Sequence, residues 1–140
     1  MDVEQSPMPF LFDIDYEAWR AREWADFLPE WSRVLGALLA VLPGEVQPHP
    51  RHPPKSLPRN TWWVHVVHGA WPLAEASCFL GAGRWLRVRW TRGHCLVWCD
   101  GVTEPEVLGL QAWPSPNRHT PTPEDVARAA LYHATAAGCV

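Results

Sequence analysis

Arg84-Trp85-Leu86-Arg87-Val88-Arg89-Trp90-Thr91-Arg92-Gly93-His94-Cys95-Leu96-Val97-Trp98-Cys99 is the stretch whose reading decides the fold. Bulky apolar residues alternate in part with arginines over 84–90. A glycine follows, and a second run begins at His94. Two such runs joined by a short glycine turn predict an antiparallel hairpin. Side chains alternate across a strand. Leu86, Val88 and Trp90 therefore share one face, assigned to the core. Trp85, Arg87 and Arg89 share the other, with Arg92 in the turn.

The flanks extend this sheet. Trp62 to Val67 is aromatic and β-branched, which reads as a strand. Pro72 to Leu80 fits either a strand or a short helix, with proline in its first turn and Gly81 just past its end. Asp100-Gly101 marks a second turn. Glu106 to Trp113 reads as a further strand, delayed by Pro105 and ended by Pro114 and Pro116.

Upstream, Tyr16, Trp19, Trp24, Phe27, Leu28, Trp31, Val34, Leu35, Leu38, Leu39 and Leu42 recur mostly three or four apart, which is one face of a helix. Pro29 interrupts the run. It lacks a backbone donor and disfavours helical geometry at Leu28. The prediction is two helices, about 15–27 and 30–41, or one kinked helix. Residues 1–13 read as an acidic arm, docking through Phe10, Leu11 and Phe12. Residues 43–60 carry prolines at 43, 48, 50, 53, 54 and 58 and read as a Pro-rich internal linker, unable to supply a central strand. Thr122-Pro123-Glu124-Asp125 opens a last helix, about 123–137: threonine caps, proline takes the first position and acids fill the first turn. The expected fold is α+β: an antiparallel sheet of about four strands, with N-terminal helices and a C-terminal helix, as one domain over 1–140.

Composition bounds the rest. At 140 residues and 47% hydrophobic, the chain can bury a core. Eleven arginines against the single Lys55, with many Ala, Pro, Gly and Trp, read as codon bias of a GC-rich bacterial or phage genome. Ten tryptophans of roughly 150–250 Å² each exceed what a core this small needs, so some are expected at a surface. Net charge is -3, unevenly spread: 1–31 is acidic, 32–99 basic, 100–140 acidic. Either the acidic start covers the basic middle, with Glu17, Glu23 or Asp26 pairing the arginines, or the basic surface serves a partner. No positive n-region precedes an apolar core, so no signal peptide is read. Val34 to Leu42 is about half a membrane span. The expectation is a cytoplasmic chain without membrane contact, its cysteines reduced and buried as small hydrophobes.

Catalytic and metal-binding patterns are weak. Cys78, Cys95, Cys99 and Cys139 contain no CxxC pair, and His49-x-x-His52, His65-x-x-His68 and His94 do not complete a four-ligand zinc set. No Gly-x-Ser-x-Gly elbow occurs. Gly81-Ala82-Gly83-Arg84-Trp85-Leu86 begins like a dinucleotide fingerprint, but Leu86 stands where a small residue belongs, so a turn is the better reading. No catalytic residue, metal or cofactor is expected.

Arginine and tryptophan anchor protein interfaces, and the same pair on an open sheet can stack bases. The sequence thus points first to a non-catalytic protein that covers a protein partner, of inhibitor, immunity or adaptor type. Its anchors would be Trp85, Arg87, Arg89 and Arg92, with Trp62 and Trp63 adjacent. A single-stranded nucleic-acid-binding face is the second reading, and a tryptophan-lined small-ligand pocket or enzyme the third.

Overall fold

The computed structural model describes residues 16–50, 57–67, 72–91, 94–109 and 121–138. The predicted hairpin forms strands β4 (Arg84–Thr91) and β5 (His94–Cys99), with Thr91 opposite His94 and Leu86 opposite Cys99. Before it come helix α1 (Tyr16–Val41) and strands β1 (Val46–Pro48), β2 (Trp62–Val67) and β3 (Leu73–Gly81). After it come β6 (Glu106–Leu108) and helix α2 (Pro123–Ala136). The six strands lie in one sheet in chain order. All neighbours are antiparallel except β1 and β2, which run parallel.

The class is α+β as expected, while the sheet is mixed and six-stranded rather than antiparallel and four-stranded. Two further strands account for the difference: β1, from the proline segment, and β3, from the 72–80 run that fitted either strand or helix. Three residues of the proline segment, Val46–Pro48, pair with β2, and residues 49–61 supply the long return that a parallel neighbour requires. Pro48 lacks a ladder donor, a defect tolerated at an edge. Of the expected strand at 106–113, Glu106–Leu108 forms β6; residues 110–113 lie outside the described ones, as do the 1–13 arm and residues 51–56 of the linker. Pro72 to Leu80 proves to be strand, entering β3 at Leu73. Gly81, Ala82 and Gly83, all at positive φ, turn it into β4.

The two expected N-terminal helices are one. Pro29 sits inside α1 on its exposed side. An interior proline costs about 3 kcal/mol. Against that, Phe27, Trp31, Val34 and Leu38 form a single buried stripe across the proline, and breaking the helix would split it. Each such side chain contributes about 1.5–3 kcal/mol when buried.

Both helices bury against the same sheet face. Phe27, Trp31, Val34 and Leu38 of α1 and Val126, Ala129, Ala130 and Ala134 of α2 share one cluster with Ala74, Ala76, Cys78, Leu86, Val88, Trp90, Cys95 and Val97. Leu86, Val88 and Trp90 thus take the core side, as their alternation predicts. Among the described residues no helix is long and apolar enough to cross a membrane.

Candidate functional site: the open face of the sheet

With the described helices on one side, alternation sends Trp63 and His65 of β2, Glu75, Ser77 and Phe79 of β3, Trp85, Arg87 and Arg89 of β4, and Leu96 and Trp98 of β5 to the other. Register arranges them in rows. Trp63, Ser77, Arg87 and Trp98 lie side by side across four strands, and His65, Glu75, Arg89 and Leu96 form the next row.

Ser77 is the small member of its row. The indoles of Trp63 and Trp85 meet with centroids 4.8 Å apart, and Phe79 adds a third ring 5.2 Å from Trp85. His49, just past β1, closes the row 5.4 Å from Trp63. Trp63 is therefore buried, although it lies outside the cluster on the helix side.

Each arginine is held by several groups. Arg87 donates from Nε to Asp100 Oδ2 at 2.7 Å and from Nη1 to Ser77 Oγ at 2.9 Å, and its guanidinium lies 5.2 Å from the Trp85 ring centre. The other oxygen of Asp100 accepts from Trp98 Nε1 at 2.7 Å. Arg89 donates from Nε to Glu75 Oε2 at 2.7 Å and lies 5.8 Å from the centre of the Trp98 ring. Exposed ion pairs of this kind add only about 0–1 kcal/mol to stability. Their effect is orientation: a guanidinium with a carboxylate at its edge and an indole nearby keeps few rotamers. Between the rows lies a depression of about 170 Å³ lined by Trp63, His65, Glu75, Ser77, Arg87, Arg89 and Trp98, with His49 at its rim.

Of the expected anchors, Trp85, Arg87, Arg89 and Trp63 come together on this face. Trp62 does not. It is fully buried on the helix side, donating from Nε1 to the Leu42 carbonyl at 2.8 Å, because adjacent strand residues face opposite ways. Arg92 lies outside the described residues. Among the described residues, the carboxylate partners of Arg87 and Arg89 are Asp100 and Glu75, from the turn and the sheet. Phe79, Trp98, Glu75 and Asp100 also belong to the face. Period-two alternation would have placed Phe79 and Glu75 had 72–80 been taken as strand, and Trp98 follows from the hairpin register.

Burial pushes the Cys78 and Cys95 thiols up to about 12, so they stay protonated and inert. Cys139 lies outside the described residues, as do His52, His68 and His119. Among the described residues no group of three or more His, Cys, Asp or Glu is arranged to hold a metal ion.

One constellation was not visible in the sequence. His133 of α2 is buried, with Nε2 2.8 Å from Glu106 Oε1 and Nδ1 2.8 Å from Thr103 Oγ1. An ionised Glu106 can only accept, so Nε2 carries the proton; in the neutral ring Nδ1 then accepts from the Thr103 hydroxyl. The Cys99 backbone N–H donates to that same hydroxyl oxygen at 2.8 Å. A hydroxyl, imidazole and carboxylate in series can activate a nucleophile. Here the imidazole is closed off from solvent and the hydroxyl oxygen is already engaged, so the chain of bonds ties α2 to the β5–β6 turn. A wider groove of about 750 Å³ beside it, lined by Glu106, Leu108, Asp125, Arg128 and Tyr132, borrows the same tie and the cap of α2 for its polar walls.

No protein-family model matches the chain, and neither the curated proteins nor the solved structures contain a significant match.

Proposed function

We propose that this chain is a non-catalytic binding protein that covers a protein partner with the open face of its sheet, as an inhibitor, immunity protein or adaptor does. The observation that carries the reading is a sheet face where Trp63, Phe79, Trp85 and Trp98 alternate with Arg87 and Arg89, opposite the face on which the described helices pack. Rigid indoles and oriented guanidinium groups are the side chains that dominate interface energetics, since they bury large areas at little entropic cost. The internal pairing of both arginines favours this over nucleic-acid binding. A polyanion is held by uncompensated cations along its track, whereas Arg87 and Arg89 each already face a carboxylate at 2.7 Å.

The test is affinity capture from the source organism with the full chain as bait and identification of what is retained. The Trp85→Ala/Arg87→Ala double variant, checked for unchanged circular dichroism, should lose the captured protein. Equal retention by the double variant would refute the reading. Retention of nucleic acid with a steep salt dependence would replace it with the second one.

A further inference from the structure

We propose that His49 and His65 together bind one divalent late-transition-metal ion, Cu²⁺ above all, at the β1 edge of the sheet. The sequence holds the two in separate histidine pairs, and the parallel register of β1 on β2 brings one member of each together. Pro48 stands beside Val64, and the His49 N–H continues the ladder by donating to the Val64 carbonyl at 3.0 Å. His49 therefore lies next to His65, with ring centres 6.2 Å apart. An ion about 2 Å from an imidazole nitrogen stands about 3 Å from the ring centre, so two rings on one ion lie about 5–6 Å apart. Both side chains are exposed, and a small χ rotation closes the difference.

One tautomer is already set. His49 Nδ1 is 3.1 Å from the Pro50 carbonyl oxygen, which can only accept, so Nδ1 carries the proton and Nε2 of the neutral ring keeps its lone pair. A backbone carbonyl on the far nitrogen is the usual support of a metal-bound histidine. Among the described residues no hydrogen bond engages the His65 ring. The two rings open, with Pro50 and Glu75, onto a cavity of about 520 Å³, which has room for the ion and the waters that complete its shell. Glu75 stands opposite His65 in the register, but its Oε2 accepts from Arg89. The two imidazoles are thus the protein's ligands, and the nearby guanidinium has its charge matched. Imidazole suits Cu²⁺, Ni²⁺ and Zn²⁺ over Mg²⁺, and affinity in such a series peaks at Cu²⁺. This site goes beyond the partner-covering reading and does not rest on it.

The untagged full chain is titrated with CuCl₂, NiCl₂, ZnCl₂ and MgCl₂ by isothermal calorimetry, and the bound Cu²⁺ is read by electron paramagnetic resonance. The tightest Cu²⁺ site should take one ion per chain and show nitrogen coupling. Ni²⁺ and Zn²⁺ should bind more weakly, and Mg²⁺ should not bind. His49→Gln and His65→Gln should each weaken that site about tenfold or more, at least what the outer partner of a metal-bound histidine is worth. His94→Gln, on β5 with its ring beside the Thr91 hydroxyl, should leave it unaltered. Circular dichroism checks that the variants fold, which two exposed positions should allow. Absence of Cu²⁺ binding, unchanged affinity in either His49→Gln or His65→Gln, an equal loss in His94→Gln, or Mg²⁺ binding as tight as Ni²⁺ would each overturn the proposal. Partner capture is a separate outcome: a captured protein without metal binding would keep the covering face and discard this site, and metal binding without a captured protein would do the reverse.

Discussion

Trp62 and Trp90 are both sealed in the core, yet their indole nitrogens differ. Trp62 Nε1 donates to the carbonyl of Leu42 just beyond α1, whereas Trp90 Nε1 has no hydrogen-bond partner among the described residues. Phenylalanine at either site removes similar apolar area. At 62 it also orphans a buried carbonyl, at a cost of about 1–3 kcal/mol, while at 90 it deletes an unpaired donor. Urea unfolding should therefore find Trp62→Phe more destabilising than Trp90→Phe by about 1–2 kcal/mol. The neighbouring pair Trp62-Trp63 marks how far the sequence could be read at this scale. Alternation says that the two indoles point apart but not which one enters the core. The register, which sets Trp63 beside Ser77 and Trp62 beside Cys78, decides it. The thiols allow a second measurement. Cys78 and Cys95 are raised from 9.0 to about 12 by burial. Between those values the unfolded chain has lost these protons and the folded one has kept them, so stability must fall as pH rises from about 9 to about 12. At pH 8 both thiols should react with a disulfide reagent only on unfolding. Rapid labelling of either in the native protein would contradict their burial.

At the scale of elements, α1 illustrates packing overriding local preference. Pro29 predicted a break or a kink, and the helix runs through it unbroken because the buried stripe continues across it. Pro29→Ala restores a backbone donor and relieves the ring clash. It should raise stability by roughly 1–2 kcal/mol, somewhat below the full proline penalty because the unfolded chain also gains freedom. A lowered midpoint in denaturant would contradict a continuous helix. The start of α2 was legible in full, since cap, proline and acid are local signals. Thr122 Oγ1 accepts from the Asp125 N–H at 3.1 Å, and the Asp125 carboxylate accepts from the Thr122 N–H at 3.0 Å. Thr122→Ala should cost about 1 kcal/mol. The Thr122 backbone bond above all, helped by its hydroxyl and by Arg128, holds the Asp125 carboxyl below 3.8. Its stabilisation is present above that value and lost as pH falls through the lower folded one, so the stability gap between wild type and Asp125→Ala should narrow in acid. Of the edge strands, β6 was legible as the start of the run at 106–113, whereas β1 was not: its three residues are too short for any periodicity and pair along the edge that the longer β2 offers.

For the whole molecule, part of the charge of the basic middle is balanced within the sheet. The basic middle carries its own acids, Glu75 and Asp100, on the same face as Arg87 and Arg89, so balance is local. A composition count over 32–99 includes one of these acids and misses Asp100, one residue beyond. The core hairpin, the inward set Leu86, Val88 and Trp90, and the outward set Trp85, Arg87 and Arg89 follow from period two alone. The tie through Thr103, His133 and Glu106 does not, because its members lie 27 and 30 residues apart in pairs. The account's central claim is that the open face, and not the helical side, meets the partner. Hydrogen–deuterium exchange of the full chain with and without the captured protein tests this most directly. Protection is expected over 62–66, 75–79, 84–89 and 96–98, with the outer turns of α1 and α2 unchanged. Protection confined to the helices, with the 84–89 amides exchanging as in the free chain, would contradict it.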